Sequence, residues 1–473
     1  MAVKTKSNNF AMRKVKRMSM KQAFILCLTL AANTSAAQSS WTMQQCMQYA
    51  VEHNHEVKRA ELQLDNYKAT KKGAIGNFLP MLSANIGAQY NFGRAIDPET
   101  NGYTDVSTFY NGYTLQASLP VFDGFSRIHA LQAAKASTMM GLSTLRQMQN
   151  LTALNVMQAY TNVAYYAGLV KMADEKVRET ELLLRQTRLF EEVGRKSSAD
   201  VAQVEAQKAE ADYELTRQQN LYASAMLELK KEMALSDDME IKIDCSELTD
   251  SSDNSSAATA AAITPLPAFH SELEAVRYQM QASQHEWRQA RAALYPTLSL
   301  SAGLNTTYYH TLHSAAGQAF HTQFKNNMGE YVGATLTSPL FNRLQTITNI
   351  RRAKNNYRIA CENYEQKQLE LVKLSREAWQ DWQGYLKQTE QMTRKVEADS
   401  LAYQLTKRQF EEGLSTAIDL RTSSAQLMNS KATLLQCRLM TIVKEQLVRY
   451  YRGETIWNSE RRAEFTPAIP SRE

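Results

Sequence analysis

The chain has 473 residues and a formal net charge of +6, but this charge is unevenly distributed. Residues 1–37 hold seven of its 54 basic residues and none of its 48 acidic residues, so the remainder carries a net charge of −1. Proteins that bind nucleic acid concentrate basic residues on one face, and we therefore expect no nucleic-acid partner. The four cysteines beyond residue 37 include no CxxC pair, which argues against a zinc site. They are Cys46, Cys245, Cys361 and Cys437.

The N-terminus has the pattern of a secretory signal. A basic region without acids precedes an apolar run over 23–32, and Ser35-Ala36-Ala37 follows as a small-x-small cleavage site. The apolar run is too short to span a bilayer. The sequence predicts a signal peptide over 1–37, with Met1, Met12 or Met18 as the translation start.

Three landmarks recur in the same order, which indicates an internal duplication. Residues 79–83 and 295–299 share a Pro-x-Leu-Ser core at an offset of 216 residues. Residues 119–123 match 338–342, and Gly194 and Asp200 match Gly413 and Asp419, all at an offset of 219 residues. A unit of about 220 residues is far longer than solenoid repeats of ~20–50 residues. Two copies of one unit suggest pseudo-symmetry, which often accompanies a ring of further copies.

Each half contains one very long predicted helix, over 125–193 and over 343–412, without proline. At 1.5 Å per residue, about 70 residues make a rod of roughly 105 Å. Shorter helices are predicted at 43–78, 198–235, 271–294 and 417–450. A long rod cannot bury its apolar stripe alone, so we expect coiled-coil packing against the shorter helices.

Four segments alternate apolar with small polar side chains, at 84–92, 113–119, 298–305 and 332–337. This period is typical of transmembrane strands of ~9–11 residues, although a soluble amphipathic hairpin shows it too. Prolines stand where helix changes to strand, at Pro80, Pro120, Pro296 and Pro339. Polar loops over 93–112 and 308–329 join the strands of each pair. Because bilayers tolerate no open sheet edge, several chains would have to share one barrel.

The predicted fold is mainly α with a membrane β-barrel, built from a duplicated unit of long helices and two strands. The first repeat covers 38–249 with a β-hairpin at 80–121, and the second covers 268–453 with a β-hairpin at 296–341. A Ser- and Ala-rich linker over 250–267 separates them, and a tail follows over 454–473.

From Trp41 to about Gly453 the sequence resembles the TolC-type outer-membrane efflux channels. The opening Trp41-Thr42-Met43, the two proline-led strand starts, and the turns that place an aspartate six residues after Gly194 and Gly413 carry the resemblance. It implies a homotrimer in the outer membrane, with four strands per chain in a 12-stranded barrel that continues as a trimeric α-barrel into the periplasm. It also implies a periplasmic adaptor and an inner-membrane transporter of the RND or ABC type as partners.

The resemblance assigns two candidate sites. The adaptor-docking surface would comprise Val193, Gly194, Arg195, Gly413, Leu414 and Ser415. Asp419 and Asp200 would contribute to the pore constriction, although an aspartate that opens a helix also caps free amides. The chain departs from the best-known member, because Phe410 and Ser415 replace a tyrosine and an arginine that lock its gate, and Thr422 replaces an acid of its constriction ring.

The predicted function is an exit duct that passively conducts small molecules such as drugs from the pump. One alternative is a channel for type I protein secretion or metal export, because the second loop contains His310, His313 and His321. A periplasmic coiled-coil scaffold is an alternative of another class, but it would not need strands with an apolar face. We expect no enzyme, cofactor or metal site, because the sequence has no nucleophile elbow, Walker loop or metal-spaced His/Glu pair.

Overall fold

The structure is a computed structural model that describes residues 40–96, 102–105, 107–236, 238–239, 241–244, 270–312 and 318–457. The predicted signal peptide, the predicted linker and most of the predicted tail lie outside these ranges. Within them, no helix has the length and apolar character needed to cross a membrane.

The two repeats contain matching sets of elements. The first has helices α1 (Met43–His53) and α2 (His55–Gly76), strands β1 (Met81–Asn91), β2 (Arg94–Ile96), β3 (Tyr103–Asp105) and β4 (Thr108–Phe122), and helices α3 (Ser126–Glu192) and α4 (Ser198–Glu232). The second has α5 (Ser271–Ala292), β5 (Thr297–Thr311), α6 (Phe320–Asn326), β6 (Gly329–Thr337), α7 (Gln345–Glu411) and α8 (Ala417–Tyr451). The long helices α3 and α7 both have 67 residues, close to the length that the sequence predicts.

The helices pack side by side beneath the sheet in the order α2, α3, α5, α7. Farther from the sheet, α3 pairs with α4 and α7 pairs with α8, so each long helix packs against different shorter helices near the sheet and far from it. The largest core cluster lies where α1, α4 and α8 meet the middle of α3, and it contains Val156 and Tyr160, both almost completely buried. The chain segments at Trp41 and Ile243 form a parallel bridge beside this core.

The first helix differs from the prediction of a single element over 43–78. It is interrupted at Asn54, whose extended backbone (ψ 138°) ends α1 and starts α2. The side-chain oxygen of Asn54 accepts a hydrogen bond from the Glu56 N–H at 2.7 Å, and its amide donates to the Glu232 carbonyl at 2.9 Å. Asparagine favours such a cap because its short side chain replaces a missing intrahelical partner.

Four of the strands form one antiparallel sheet in the order β1-β4-β5-β6, so the central pair joins the two repeats. The register aligns the four alternating patterns. Ile86 lies opposite Tyr113, and Tyr113 lies opposite Thr306, whereas the neighbouring Asn85 belongs to the row of Thr114 and Asn305. All four apolar alternations therefore share one face of the sheet. Strands β1 and β6 each have one unpaired edge within the described residues.

The two predicted loops contain structure of their own. The first includes the β2–β3 hairpin, and the second includes α6. The side chain of Gln323 on α6 bonds to both the N–H and the carbonyl of Tyr309, at 3.0 and 2.9 Å. These two bonds satisfy the backbone N–H and carbonyl of Tyr309, which lies on β5 beyond the last residue that pairs with β6. Helix α6 therefore covers an edge of β5 that β6 leaves open.

Candidate functional site at the paired helix turns

The long helices end in two turns of the same construction. Gly194 follows α3 and Gly413 follows α7, with φ of 74° and 81°. In the first turn, the Arg195 N–H donates to the Phe190 carbonyl at 2.8 Å, and the corresponding bond in the second turn measures 2.7 Å. Glycine is favoured here because its lack of a Cβ permits the left-handed conformation that closes a helix end. A Cβ built at either glycine would meet no atom within 4 Å, so both turns lie in open space.

Both following helices begin with a capping box. The Ser197 hydroxyl accepts from the Asp200 N–H at 3.2 Å, and the Asp200 carboxylate accepts from the Ser197 N–H at 3.1 Å. Thr416 and Asp419 repeat this exchange at the same two distances. The N-caps are therefore Ser197 and Thr416, and each aspartate is the third residue of its helix rather than the cap itself.

These bonds influence the two carboxyl groups. The backbone N–H of Ser197 lowers the pKa of Asp200, and its hydroxyl assists. The hydroxyl of Thr416 lowers the pKa of Asp419, and the backbone N–H of Thr416 assists. Both aspartates are therefore anionic at neutral pH. Asp419 is exposed and Asp200 is half-buried.

The surface of the turns is partly apolar. Val193 is 67% exposed and Leu414 is 76% exposed, and both stand next to the glycines. Arg195 is also exposed, with its guanidinium 5.2 Å from the ring centre of Phe190. The predicted docking residues thus form two small surfaces of similar composition, one at each turn, although Ser415 is half-buried.

A small core joins the two helix pairs just behind the turns. It consists of Leu183, Leu184, Val201, Val204, Phe410, Ala417 and Leu420. The Gln207 amide donates to the Ala417 carbonyl at 3.1 Å, and the Lys196 ammonium lies 3.9 Å from the ring centre of Phe410. Phe410 is therefore buried and packed.

One turn of helix farther from the tips, a charged cluster spans three helices. Glu179 on α3 accepts from Lys407 on α7 at 3.4 Å and from the hydroxyl of Tyr403. Lys176 lies 3.1 Å from Glu179 and also donates to Ser424 on α8. Burial alone would raise the pKa of Glu179, but the two lysines and Tyr403 together lower it. No sequence pattern indicates this cluster, because Glu179 and Tyr403 are 224 residues apart.

Among the residues that the structure describes, the histidines and cysteines form no recognisable metal site. The described residues contain no group of three His, Cys, Asp or Glu side chains that could hold a metal ion. His310 is the penultimate residue of β5 and His321 is on α6, whereas His313 lies outside the described residues. Cys46, Cys361 and Cys437 are free thiols, and Cys245 also lies outside the described residues.

Comparison with known proteins identifies the family. The model of the outer membrane efflux protein family matches residues 46–234 and 268–450, which are the two repeats. The toluene efflux pump outer membrane protein TtgC of Pseudomonas putida is 21% identical over 426 residues, covering 88% of this chain and 85% of that protein. The antibiotic efflux pump outer membrane protein ArpC of Pseudomonas putida is 20% identical with the same coverage.

Solved structures share the fold at lower sequence identity. VceC of Vibrio cholerae has a TM-score of 0.74 at 15% identity, covering 88% of this chain and 96% of that one. CusC has a TM-score of 0.73 at 16% identity, covering 87% and 91%. The CmeC outer membrane channel of Campylobacter jejuni has a TM-score of 0.71 at 15% identity, covering 87% and 85%.

These matches confirm the predicted fold class, mainly α with the strands of a membrane β-barrel. They also confirm the outer-membrane location with a periplasmic helical part, and the expectation of a channel rather than an enzyme. The chain belongs to the outer membrane efflux protein family.

Proposed function

We propose that this outer-membrane efflux channel is the exit duct of a tripartite system and works as a homotrimer. It passively conducts small molecules such as drugs from an inner-membrane transporter of the RND or ABC type, through a periplasmic adaptor. Its relatives named for toluene and antibiotic efflux favour small molecules as cargo. The names of these two relatives give no such support to the alternatives of type I protein secretion and metal export.

The observation that carries the trimer is the open four-stranded sheet. Its edge strands β1 and β6 each present unpaired backbone groups, and its apolar face requires lipid. Because a bilayer contains no water to satisfy such edges, they must pair with other copies of the chain. Three copies supply 12 strands, an even number within the usual range of bacterial outer-membrane barrels.

The helical layer requires the same neighbours. α2 and α7 lie at its two ends, and α7 exposes large apolar side chains such as Leu369, Leu401 and Leu405. In a trimer, the part of α7 nearest the sheet would pack against α2 of the next copy. The part with Leu401 and Leu405 lies beyond the 22-residue α2 and would pack against another helix of that copy. The periplasmic helices would then form a closed tube beneath the barrel.

The adaptor would dock at the paired turns, through Val193, Gly194, Arg195, Gly413, Leu414 and Ser415. The equal construction of the two turns supports this placement, because a trimer would present six similar surfaces in a ring. Asp419, and to a smaller extent Asp200, would contribute negative charge to the constriction of the tube at this end.

The decisive experiment measures both the assembly of the chain into trimers and the export of a dye. The protein purified from outer membranes should have the mass of a trimer in detergent. Gly194→Trp with Gly413→Trp should abolish dye export in cells that contain the cognate pump and adaptor. The trimer yield should stay close to normal, because the strain of a left-handed tryptophan is confined to two exposed turns with open space. Gly194→Asn with Gly413→Asn is the matched control, since asparagine tolerates the left-handed conformation with a small side chain. Normal export by the tryptophan variant would place docking elsewhere, and a monomeric mass would refute the trimer.

A further inference from the structure

The first turns of α7 carry an unusual concentration of positive charge. Between Phe341 and Cys361 the chain has five basic residues and no acidic residue. They are Arg343, Arg351, Arg352, Lys354 and Arg358, and all are exposed. Within the described residues, none of the five lies within ion-pair distance of a carboxylate. A surface that gathers unpaired cations in a chain of balanced charge attracts anionic partners.

Three of these cations lie on one side of the helix. Leu344, Ile347, Arg351, Lys354 and Arg358 follow one another at three- or four-residue intervals, which places them in one stripe. At 1.5 Å per residue, Arg351 is about 6 Å and Arg358 about 16 Å below Ile347 along the axis. The stripe therefore changes from apolar to basic as it leaves the sheet.

The apolar start of the stripe indicates the side on which it lies. Leu344 and Ile347 are each 60% exposed. The connection from β6 to α7 adds Leu340 and Phe341, which are also highly exposed. Exposed apolar side chains next to a membrane sheet are stable against lipid but unfavourable in a water-filled pore. A stripe that faces outward at this height would place its apolar part at the level of the lipid and its cations just beyond.

A second helix extends the basic surface. Trp287 on α5 has the Lys354 ammonium 5.9 Å and the Arg291 guanidinium 5.7 Å from its ring centre. Tyr357 stacks on the same indole at 5.9 Å. Aromatic rings flanked by cations are typical of the membrane–water interface, where the long basic side chains reach headgroups while their stems stay apolar.

The first repeat lacks this surface. Arg127, near the start of α3, pairs with Asp123 at 2.9 Å, and both side chains are less than 20% exposed. Here α3 lies between α2 and α5, so little of its start can face a membrane. The charge of α7 is therefore not a requirement of the repeated fold.

We propose that Arg351, Lys354 and Arg358, which we name the basic collar, bind the headgroups of anionic phospholipids in the periplasmic leaflet of the outer membrane. Lipid phosphates would accept hydrogen bonds from the guanidinium and ammonium groups, and acyl chains would cover Leu344 and Ile347. The collar would hold the channel at a fixed depth, with the helices in the periplasm and the sheet in the bilayer.

The experiment measures which lipids the full mature protein retains. The protein is equilibrated with equimolar phosphatidylglycerol and phosphatidylcholine in mild detergent, and the retained lipids are counted by native mass spectrometry. Wild type should retain phosphatidylglycerol in excess, and salt should reduce this excess. Each cation near an anionic surface contributes about a five-fold preference, so R351Q/K354Q/R358Q should bring the ratio close to that of the lipid mixture.

The matched control is K387Q/R394Q/R408Q, which removes the same charge from exposed positions on α7 far from the sheet. It should retain the wild-type lipid ratio.

An unchanged ratio in R351Q/K354Q/R358Q would refute the proposal. A loss of trimer would indicate that the stripe is covered by a neighbouring copy. A change in the ion selectivity of planar-bilayer currents at an unchanged lipid ratio would place the collar in the pore. Displacement of lipid by soluble glycerol phosphate would reveal a site for free phosphate.

Discussion

The two long helices have the same length and the same place in their repeats, but they differ greatly in burial. Nineteen residues of α3 are buried and only five of α7 are. The difference arises because α3 lies between α2 and α5, whereas α7 ends the layer. The two repeats thus share their secondary structure, whereas the burial of each long helix depends on its position in the layer. A helix of 67 residues needs its apolar side buried, and much of that side of α7 is exposed in the single chain. We therefore expect other copies of the chain to cover it.

The largest effect should come from a charge placed in the core of α3. Val156 is completely buried in the main cluster, and Val156→Asp would bury an unpaired carboxylate at a cost of several kcal/mol. We expect no folded protein in the outer membrane, measured by yield and resistance to trypsin. Wild-type yield would contradict the assignment of this cluster as the core.

The corresponding change on α7 should affect assembly rather than folding. Leu369 is 72% exposed in the single chain. Leu369→Asp should leave the helical content measured by circular dichroism unchanged, but shift the mass in detergent from trimer to monomer. Gln368→Asp, at an exposed position on the adjacent side of the same helix, is a control with the same change of charge. A trimeric mass for Leu369→Asp would show that another surface joins the copies.

The two faces of the sheet provide a further comparison, because we expect the apolar face to contact lipid and the opposite face to contact water. Ile86 shares the apolar face with Leu115 and Leu304, and Asn85 lies on the opposite face. Ile86→Arg should lower the outer-membrane yield, at a cost of about 2–4 kcal/mol near the middle of the bilayer. Val332→Arg, on the same face of the second repeat, should behave similarly. Asn85→Arg should be tolerated, and equal yields for Ile86→Arg and Asn85→Arg would exclude lipid contact.

A smaller effect is expected where the two helix pairs meet. Tyr403→Phe removes one hydrogen bond to the ionised Glu179, and a hydrogen bond to a charged group typically stabilises by about 1.5–3 kcal/mol. If this cluster holds the tips together, planar-bilayer recordings should show more frequent openings. Phe410→Tyr, in the neighbouring core, tests whether packing rather than charge is responsible. Unchanged openings in Tyr403→Phe would restrict the cluster to a structural role.

The same cluster predicts a dependence on pH. The folded-state pKa of Glu179 lies below its ordinary value of 4.5. A carboxyl with a lowered pKa contributes stability above its unfolded pKa, and this stability is lost as pH falls through the folded value. Openings should therefore increase only below pH 4.5, and Glu179→Gln should remove this response. A response that persists in Glu179→Gln would have to come from another carboxyl group.

The sequence predicted the elements better than their contacts. Periodicity and the four prolines located the long helices and strands, because both depend on residues close in sequence. The break at Asn54 was missed because its partner is the Glu232 carbonyl, 178 residues away. The cluster at Glu179 was missed for the same reason. The sequence located Asp200 and Asp419 at helix starts, but only the structure identifies Ser197 and Thr416 as the caps.

The smallest expected effect concerns these two aspartates, which have the same hydrogen bonds but different exposure. Asp419→Asn removes the charge and keeps an oxygen that can accept from the Thr416 N–H, so the capping box should survive. If Asp419 lies at the constriction, this variant should reduce cation preference and block by multivalent cations in planar bilayers. Asp200→Asn should change them less, because Asp200 is half-buried. The effect should be modest, since Thr422 provides no second acid.

Because Thr416 lowers the pKa of Asp419, wild-type selectivity should persist as pH falls to the ordinary value of 3.8. Identical selectivity in Asp419→Asn and wild type would place Asp419 outside the pore, with capping as its role.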